Sequence, residues 1–140
     1  MTNSAKAFRC EHTLRDLRAG LELVHPEAEA ALDAHGFDEG AKFAIRLAIE
    51  EAVVNAFRHG NRNDPSKSVR YRAHIDDGRA SFEVQDEGPG FDPKTIPDPT
   101  EDENLEIPSG RGVMLIKAYM TEVEYVPPGN LLRMTYRKPA

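Results

Sequence analysis

At Asp64-Pro65 the apolar residues of this chain change period. Before that point they recur at helical spacing, and after it they alternate with polar residues, which commits the chain to helices first and strands later. The longest helical signal is Ala41-Lys-Phe-Ala-Ile-Arg-Leu-Ala-Ile-Glu-Glu-Ala-Val-Val-Asn-Ala-Phe-Arg-His59, capped by Asp38 and stopped by Gly60 and Asn61. An earlier helix is expected from Leu14, Leu17, Leu21 and Val24, opened at His12-Thr13, restarted at Pro26 and ended at His35-Gly36. A short strand around Phe8 and Cys10 precedes it. Downstream, Val69, Tyr71, Ala73 and Ile75 alternate, Asp77-Gly78 turns the chain, and Ala80, Phe82 and Val84 return as the second arm of a hairpin. A short helix at Val113, Leu115, Ile116 and Tyr119 is expected next, then strands around Glu122–Val126 and Leu131–Tyr136. This order predicts an α+β sandwich of two layers.

Length and composition narrow the possibilities. A chain of 140 residues with 39% apolar and 30% charged residues suits one soluble domain with one core. No apolar run is long enough to cross a bilayer, and Met1-Thr2-Asn3-Ser4-Ala5-Lys6 has no secretory pattern, so a cytoplasmic protein is expected. The single Cys10 cannot form an internal disulfide, and no Cys/His cluster has zinc-site spacing. His12, His25, His35 and His74 are scattered and read as surface or satisfied structural residues. A net charge of -6 argues against direct nucleic-acid binding, while leaving room for a small anionic ligand at a local site.

Between Gly88 and Gly110 stand Pro89, Pro93, Pro97, Pro99 and Pro108 among Asp98, Glu101, Asp102, Glu103 and Glu106. Neither a helix nor a central strand survives such a composition, so a long loop is expected, and loops of this length are usually functional lids or disordered segments. The acidic run is read as a solvated face, with a surface for a basic partner as the alternative.

Three sites carry possible chemistry. On the long helix, Glu51 and Asn55 lie one turn apart at the flank of the apolar face made by Ile45, Ile49, Ala52, Val53 and Ala56, while Glu50 is turned away. In Val84-Gln85-Asp86-Glu87-Gly88-Pro89-Gly90-Phe91 a strand ends in an acid and passes into glycines, so a carboxylate can accept from an exocyclic amine while a planar ring lies against backbone. Ser109-Gly110-Arg111-Gly112 opens a helix, where backbone N–H groups favour a phosphate. Arg58 and His59 follow Asn55 on the same side and are candidates for phosphate or lid contacts; Arg111 is a phosphate candidate by position.

In this order, Glu51-Ala-Val-Val-Asn55, Asp86-Glu-Gly-Pro-Gly90 and Gly110-Arg-Gly112 resemble the motifs of the histidine-kinase-like ATPase superfamily, the Bergerat fold shared by type II topoisomerases, the ninety-kilodalton heat-shock chaperone, sensor histidine kinases and mismatch-repair ATPases. From Phe8 to Tyr136 the chain is similar to the small bacterial anti-sigma-factor serine kinases. The resemblance implies residues 1–140 as one ATP-binding domain, with helices on one face of a mixed, mostly antiparallel sheet and an ATP lid at about residues 91–109. It implies ATP and Mg²⁺ as ligands, with Asp86 on the adenine amino group, Asn55 on Mg²⁺, Gly88 and Gly90 among the nucleotide-binding residues, and Gly110 and Gly112 helping to bind the phosphates. Glu51 becomes the general base that accepts a serine hydroxyl proton during phosphotransfer. The implied partners are a small anti-sigma antagonist protein, which is phosphorylated, and a sigma factor, which is sequestered; a homodimer is implied as well. The pattern breaks once: the family places Thr shortly after the last hairpin's glycine, whereas Gly129 is followed by Asn130, Leu131 and Leu132. Either Asn130 takes that role or the nucleotide contacts are weaker. Two other readings are a nucleotide-dependent protein-binding module without kinase turnover and a detached catalytic ATPase domain of a two-component-type system.

Overall fold

A computed structural model describes residues 6–89, 116–127 and 130–139. Strand β1 (Phe8–Leu14) leads into helix α1 (Leu17–Ala34), helix α2 (Glu39–Asn55) and a wider turn of π type (Ala56–Gly60). Strands β2 (Val69–Ile75) and β3 (Arg79–Gln85) follow as a hairpin; residues 116–119 are helical, and β4 (Glu122–Val126) and β5 (Leu131–Arg137) complete the sheet. The order β1-β2-β3-β5-β4 puts β3 in the middle, and every described pairing is antiparallel.

The period-two pattern builds the inner face. Val69, Tyr71, Ala73 and Ile75 of β2 and Ala80, Phe82 and Val84 of β3 are buried beneath α1 and α2, which contribute Val24, Leu32, Ile45, Ile49 and Val53. The opposite face is charged. Glu11, Arg72, Glu83, Arg133 and Glu124 stand in one row across all five strands, each opposite the next in register, with closest approaches of 3.2, 3.5, 2.8 and 3.8 Å. Alternating signs in such a row favour this register over its neighbours, at a few tenths of a kcal/mol to about 1 kcal/mol per pair.

Both expected caps form at α2 and α1. Asp38 accepts from the Ala41 N–H at 2.8 Å, and Gly36 takes the left-handed φ of 76° just past α1. Three expectations need correction. His12 and Thr13 belong to β1, because the alternation begun at Phe8 continues through Leu14, and α1 is instead capped by Asp16, which accepts from Ala19 N–H at 2.8 Å. Pro26 does not restart the helix but lies inside it; Pro26 and Glu22 are both exposed, so the carbonyl that Pro26 cannot reach is on the solvent side. The long helix ends as an α-helix at Asn55 rather than near His59, and its last turn widens. The expected lid at about residues 91–109 and the start of the short helix at Val113 and Leu115 lie outside the described residues.

Candidate functional site

The site grows from the end of α2. Its apolar stripe, Ile45, Ile49, Ala52, Val53 and Ala56, is buried as the helical spacing requires, which leaves Glu51 and Asn55 half-buried at the flank. Glu50 faces the other way, with its carboxylate 3.4 Å from His25 Nε2 on α1. The Asn55 amide nitrogen is buried and has no hydrogen-bond partner among the described residues. Buried polar groups are rarely left so, and a ligand is one of the usual reasons.

Beyond Asn55 the backbone widens: Asn61 N–H reaches the Ala56 carbonyl at 2.9 Å, one residue further back than an α-helix would allow. This turn delivers Gly60 against the end of β3. A Cβ on Gly60 would lie 2.1 Å from the Asp86 carboxyl, and one on Gly88 would lie 2.0 Å from the Gly60 carbonyl oxygen. Only paired glycines let these two backbones meet. Arg58 is exposed and His59 half-buried in the same turn.

Asp86 is held from several sides. Its N–H donates to the Asn130 carbonyl at 3.0 Å, while the Asn130 side-chain amide donates to the carbonyls of Asp86 and Gly88 at 3.3 Å each. Asn130 therefore supports the loop through its backbone. The carboxylate itself accepts from Gly88 N–H at 2.7 Å. Burial pushes the Asp86 carboxyl up to about 6, against the opposing pull of the Gly88 N–H and the charge of Lys67. A carboxylate desolvated and only partly satisfied has capacity left for a donor.

Two residues here escaped sequence reasoning. Gly60 was expected only to stop a helix, and Asn61 likewise. Asn61 is 1% exposed; its Oδ1 accepts from Glu87 N–H at 2.7 Å and its Nδ2 donates to the Ser68 carbonyl at 2.9 Å, tying the helix end to the Asp86 loop and the start of β2. The available signal was Gly60-Asn-Arg-Asn63, since Arg62 and Asn63 take left-handed φ values of 53° and 57°, the mark of a chain folding back on itself. Asn61→Ala strips partners from two backbone groups, and the expected result is a loss of about 1–3 kcal/mol, seen as a melting temperature roughly 5 °C lower by calorimetry. Of the other expected site residues, Gly90, Gly110, Arg111 and Gly112 lie outside the described residues.

The sequence profile of the histidine kinase-like ATPase domain matches residues 14–136. The anti-sigma F factor of Geobacillus thermodenitrificans (strain NG80-2) is 38% identical over 82 residues, 56% of this chain and 56% of that protein. That of Halalkalibacterium halodurans is 33% identical over 84 residues, 59% of this chain and 58% of that protein, so the chain spans little more than half the length of the curated relatives it matches. The crystal structure of the RsbU and RsbW domains of Rv1364c from Mycobacterium tuberculosis shares the fold, with a TM-score of 0.62 at 21% identity over 95% of this chain and 34% of that one. With the match running from the end of β1 almost to the end of β5, the chain belongs to the histidine kinase-like ATPase domain family.

Proposed function

We propose that this protein is an ATP-dependent serine protein kinase and anti-sigma regulator, which phosphorylates a small antagonist protein and sequesters a sigma factor. The observation that carries the reading is the Asp86 carboxyl, half-buried at the end of the middle strand and wedged against Gly60 at the end of the helix that bears Glu51 and Asn55. The similarity to anti-sigma F factors supports the partner class.

The residues fit Mg²⁺ and ATP. Asn55 has an orphaned amide nitrogen, and its other end is an oxygen, the donor Mg²⁺ prefers. Mg²⁺ offsets phosphate charge when bound. Asp86 accepts from the exocyclic amine of the nucleotide, and the bare backbones of Gly60 and Gly88 keep side chains out of the space around that carboxylate. Glu51, on the same helix flank as Asn55, accepts the proton of the substrate serine hydroxyl. Gly90, Gly110, Arg111 and Gly112 complete the phosphate end of this reading, Arg58 and His59 its approach, and residues 91–109 its lid. The chain works in the cytoplasm as a homodimer in this reading, one ATP-binding domain per chain.

A second reading, a nucleotide-dependent binding module without turnover, is favoured by Asn130, whose amide serves backbone carbonyls where the family's Thr supports the adenine-reading acid. Incubating the protein with Mg-ATP and an antagonist that it binds separates the two: phosphoserine on the antagonist supports the kinase, and stable binding without modification supports the module.

Nucleotide binding itself has a pH signature. An Asp86 carboxyl raised to about 6 is mostly protonated at pH 5 and, having lost its charge, is a weaker acceptor, so affinity for Mg-ATP falls by up to roughly tenfold between pH 7.5 and pH 5 by titration calorimetry. In Asp86→Asn binding is lost at both pH values. Stability moves oppositely. The folded chain holds the Asp86 proton more tightly than the unfolded chain, so stability from this group is present at low pH and declines as pH rises from 3.8 to about 6. Asp86→Asn escapes that decline and is more stable than wild type at pH 7.5 by roughly 1 kcal/mol, a value reduced for solvent reaching the half-buried carboxyl, and no more stable at pH 4.

A further inference from the structure

The inner face of β1 carries chemistry that the nucleotide site does not use. Cys10 and His12, two apart on a strand, point to the same side, and there they meet Glu27 of α1. The Cys10 Sγ lies 3.1 Å from Glu27 Oε1, and His12 Nε2 lies 3.0 Å from both Glu27 oxygens. All three donor atoms fall within 4.8 Å of one another. Donors around a tetrahedral zinc ion stand about 3.3–3.7 Å apart, so Glu27 needs to draw back only a few tenths of an ångström from Cys10 and His12 to admit the ion between them.

A second observation points the same way. Tyr71 sits opposite His12 in the β1–β2 register, its ring stacked on the imidazole with centroids 6.3 Å apart. It is 0% exposed, and its hydroxyl is buried with no hydrogen-bond partner among the described residues, although Cys10 and Glu27 are near enough to act on it electrostatically. The trio satisfies itself and leaves the phenol out.

We propose that Cys10, His12 and Glu27 bind a Zn²⁺ ion, clamping α1 to β1, with solvent in the fourth position. Thiolate, imidazole and carboxylate together suit zinc and do not suit magnesium or calcium, which take oxygen ligands. As the Zn–S bond forms, the Cys10 thiol proton leaves to solvent. A zinc-bound water, its O–H acidified by the metal, can donate to the Tyr71 hydroxyl oxygen, giving that group the partner it lacks. The sequence hides this arrangement because its third donor comes from a helix rather than from the local spacing that marks zinc motifs.

The cobalt and zinc ions themselves are the probes, applied to the purified 140-residue chain without nucleotide. Cys10 is the only cysteine, so a thiolate-to-cobalt charge-transfer band with Co²⁺ can come from nowhere else. The expected results are that band, one equivalent of zinc retained through gel filtration, and a melting temperature raised by roughly 5–10 °C at free Zn²⁺ about 100-fold above its dissociation constant. Cys10→Ser and Glu27→Gln weaken zinc binding by more than about 100-fold, beyond the usual cost of losing an outer partner. Asp86→Asn, which disables the nucleotide site, retains zinc. Cobalt binding without a thiolate band overturns the proposal even if the variants fail to fold. Equal zinc retention by wild type and both variants overturns it as well.

Discussion

Gly60→Ala protein binds no Mg-ATP and melts roughly 10 °C below wild type. The added methyl would lie 2.1 Å from the Asp86 carboxyl, well inside van der Waals contact, and both neighbours are tethered: Asp86 by Asn130 and Gly88, Gly60 by the turn that ends at the buried Asn61. Relief requires the Asp86 loop to move away from the helix end, at a cost of about 2–4 kcal/mol for an overpacked site. Gly88→Ala, aimed at the Gly60 carbonyl, behaves similarly. Gly40→Ala is the control. It lies in α2 where a Cβ meets only the Asp38 carboxylate at an ordinary 3.6 Å, and it stabilises the protein by about 0.5–1 kcal/mol through helix propensity. Thermal melts with calorimetric titration compare all three; a Gly60→Ala protein that binds Mg-ATP as well as wild type would show that the contact with Asp86 does not shape the pocket.

Glu51→Gln has the second large effect, on rate alone. The side chain projects from the flank of α2, half-buried, while the stripe beneath it is already filled by Ile45, Ile49, Ala52 and Val53, so the fold and nucleotide affinity stay near wild type. With Glu51 in the proposed role of general base, its loss slows phosphotransfer by about 10²–10⁴-fold. Single-turnover transfer from labelled ATP to a bound antagonist measures it. An unchanged rate would remove Glu51 from the chemistry, and Glu50 offers no easy substitute because its carboxylate already faces His25.

How much of this could be read from the chain depends on where each cause resides. Caps are local, so Asp38 and Gly36 were legible, and so was the β2–β3 hairpin, whose turn is closed by Asp76 accepting from Gly78 and Arg79 N–H at 2.9 Å each. Leu14 was ambiguous because it belongs to two patterns at once: it continues the alternation of Phe8, Cys10 and His12, and it also stands three residues before Leu17 in the helical stripe. Asp16 settles the matter by capping α1 after it. The widened turn after Asn55 was not legible, since its cause is the seat of Gly60 on a loop far away in sequence. Of the site, the one-turn spacing of Glu51 and Asn55 and the strand-end position of Asp86 were visible. Asn61 was not, because its two partners come from Ser68 and Glu87 and nothing near Asn61 reveals them.

The place of β3 in the sheet bears on how the protein breathes. Edge strands lose their amide protection by fraying, whereas a strand bonded on both sides exchanges only when β2 or β5 lets go, in openings close to global unfolding. Asp86 is the residue just past that strand. The carboxyl is therefore anchored beside one of the strands that open only with the body of the sheet, so in the proposed role of Asp86 a nucleotide could come and go with the sheet still intact.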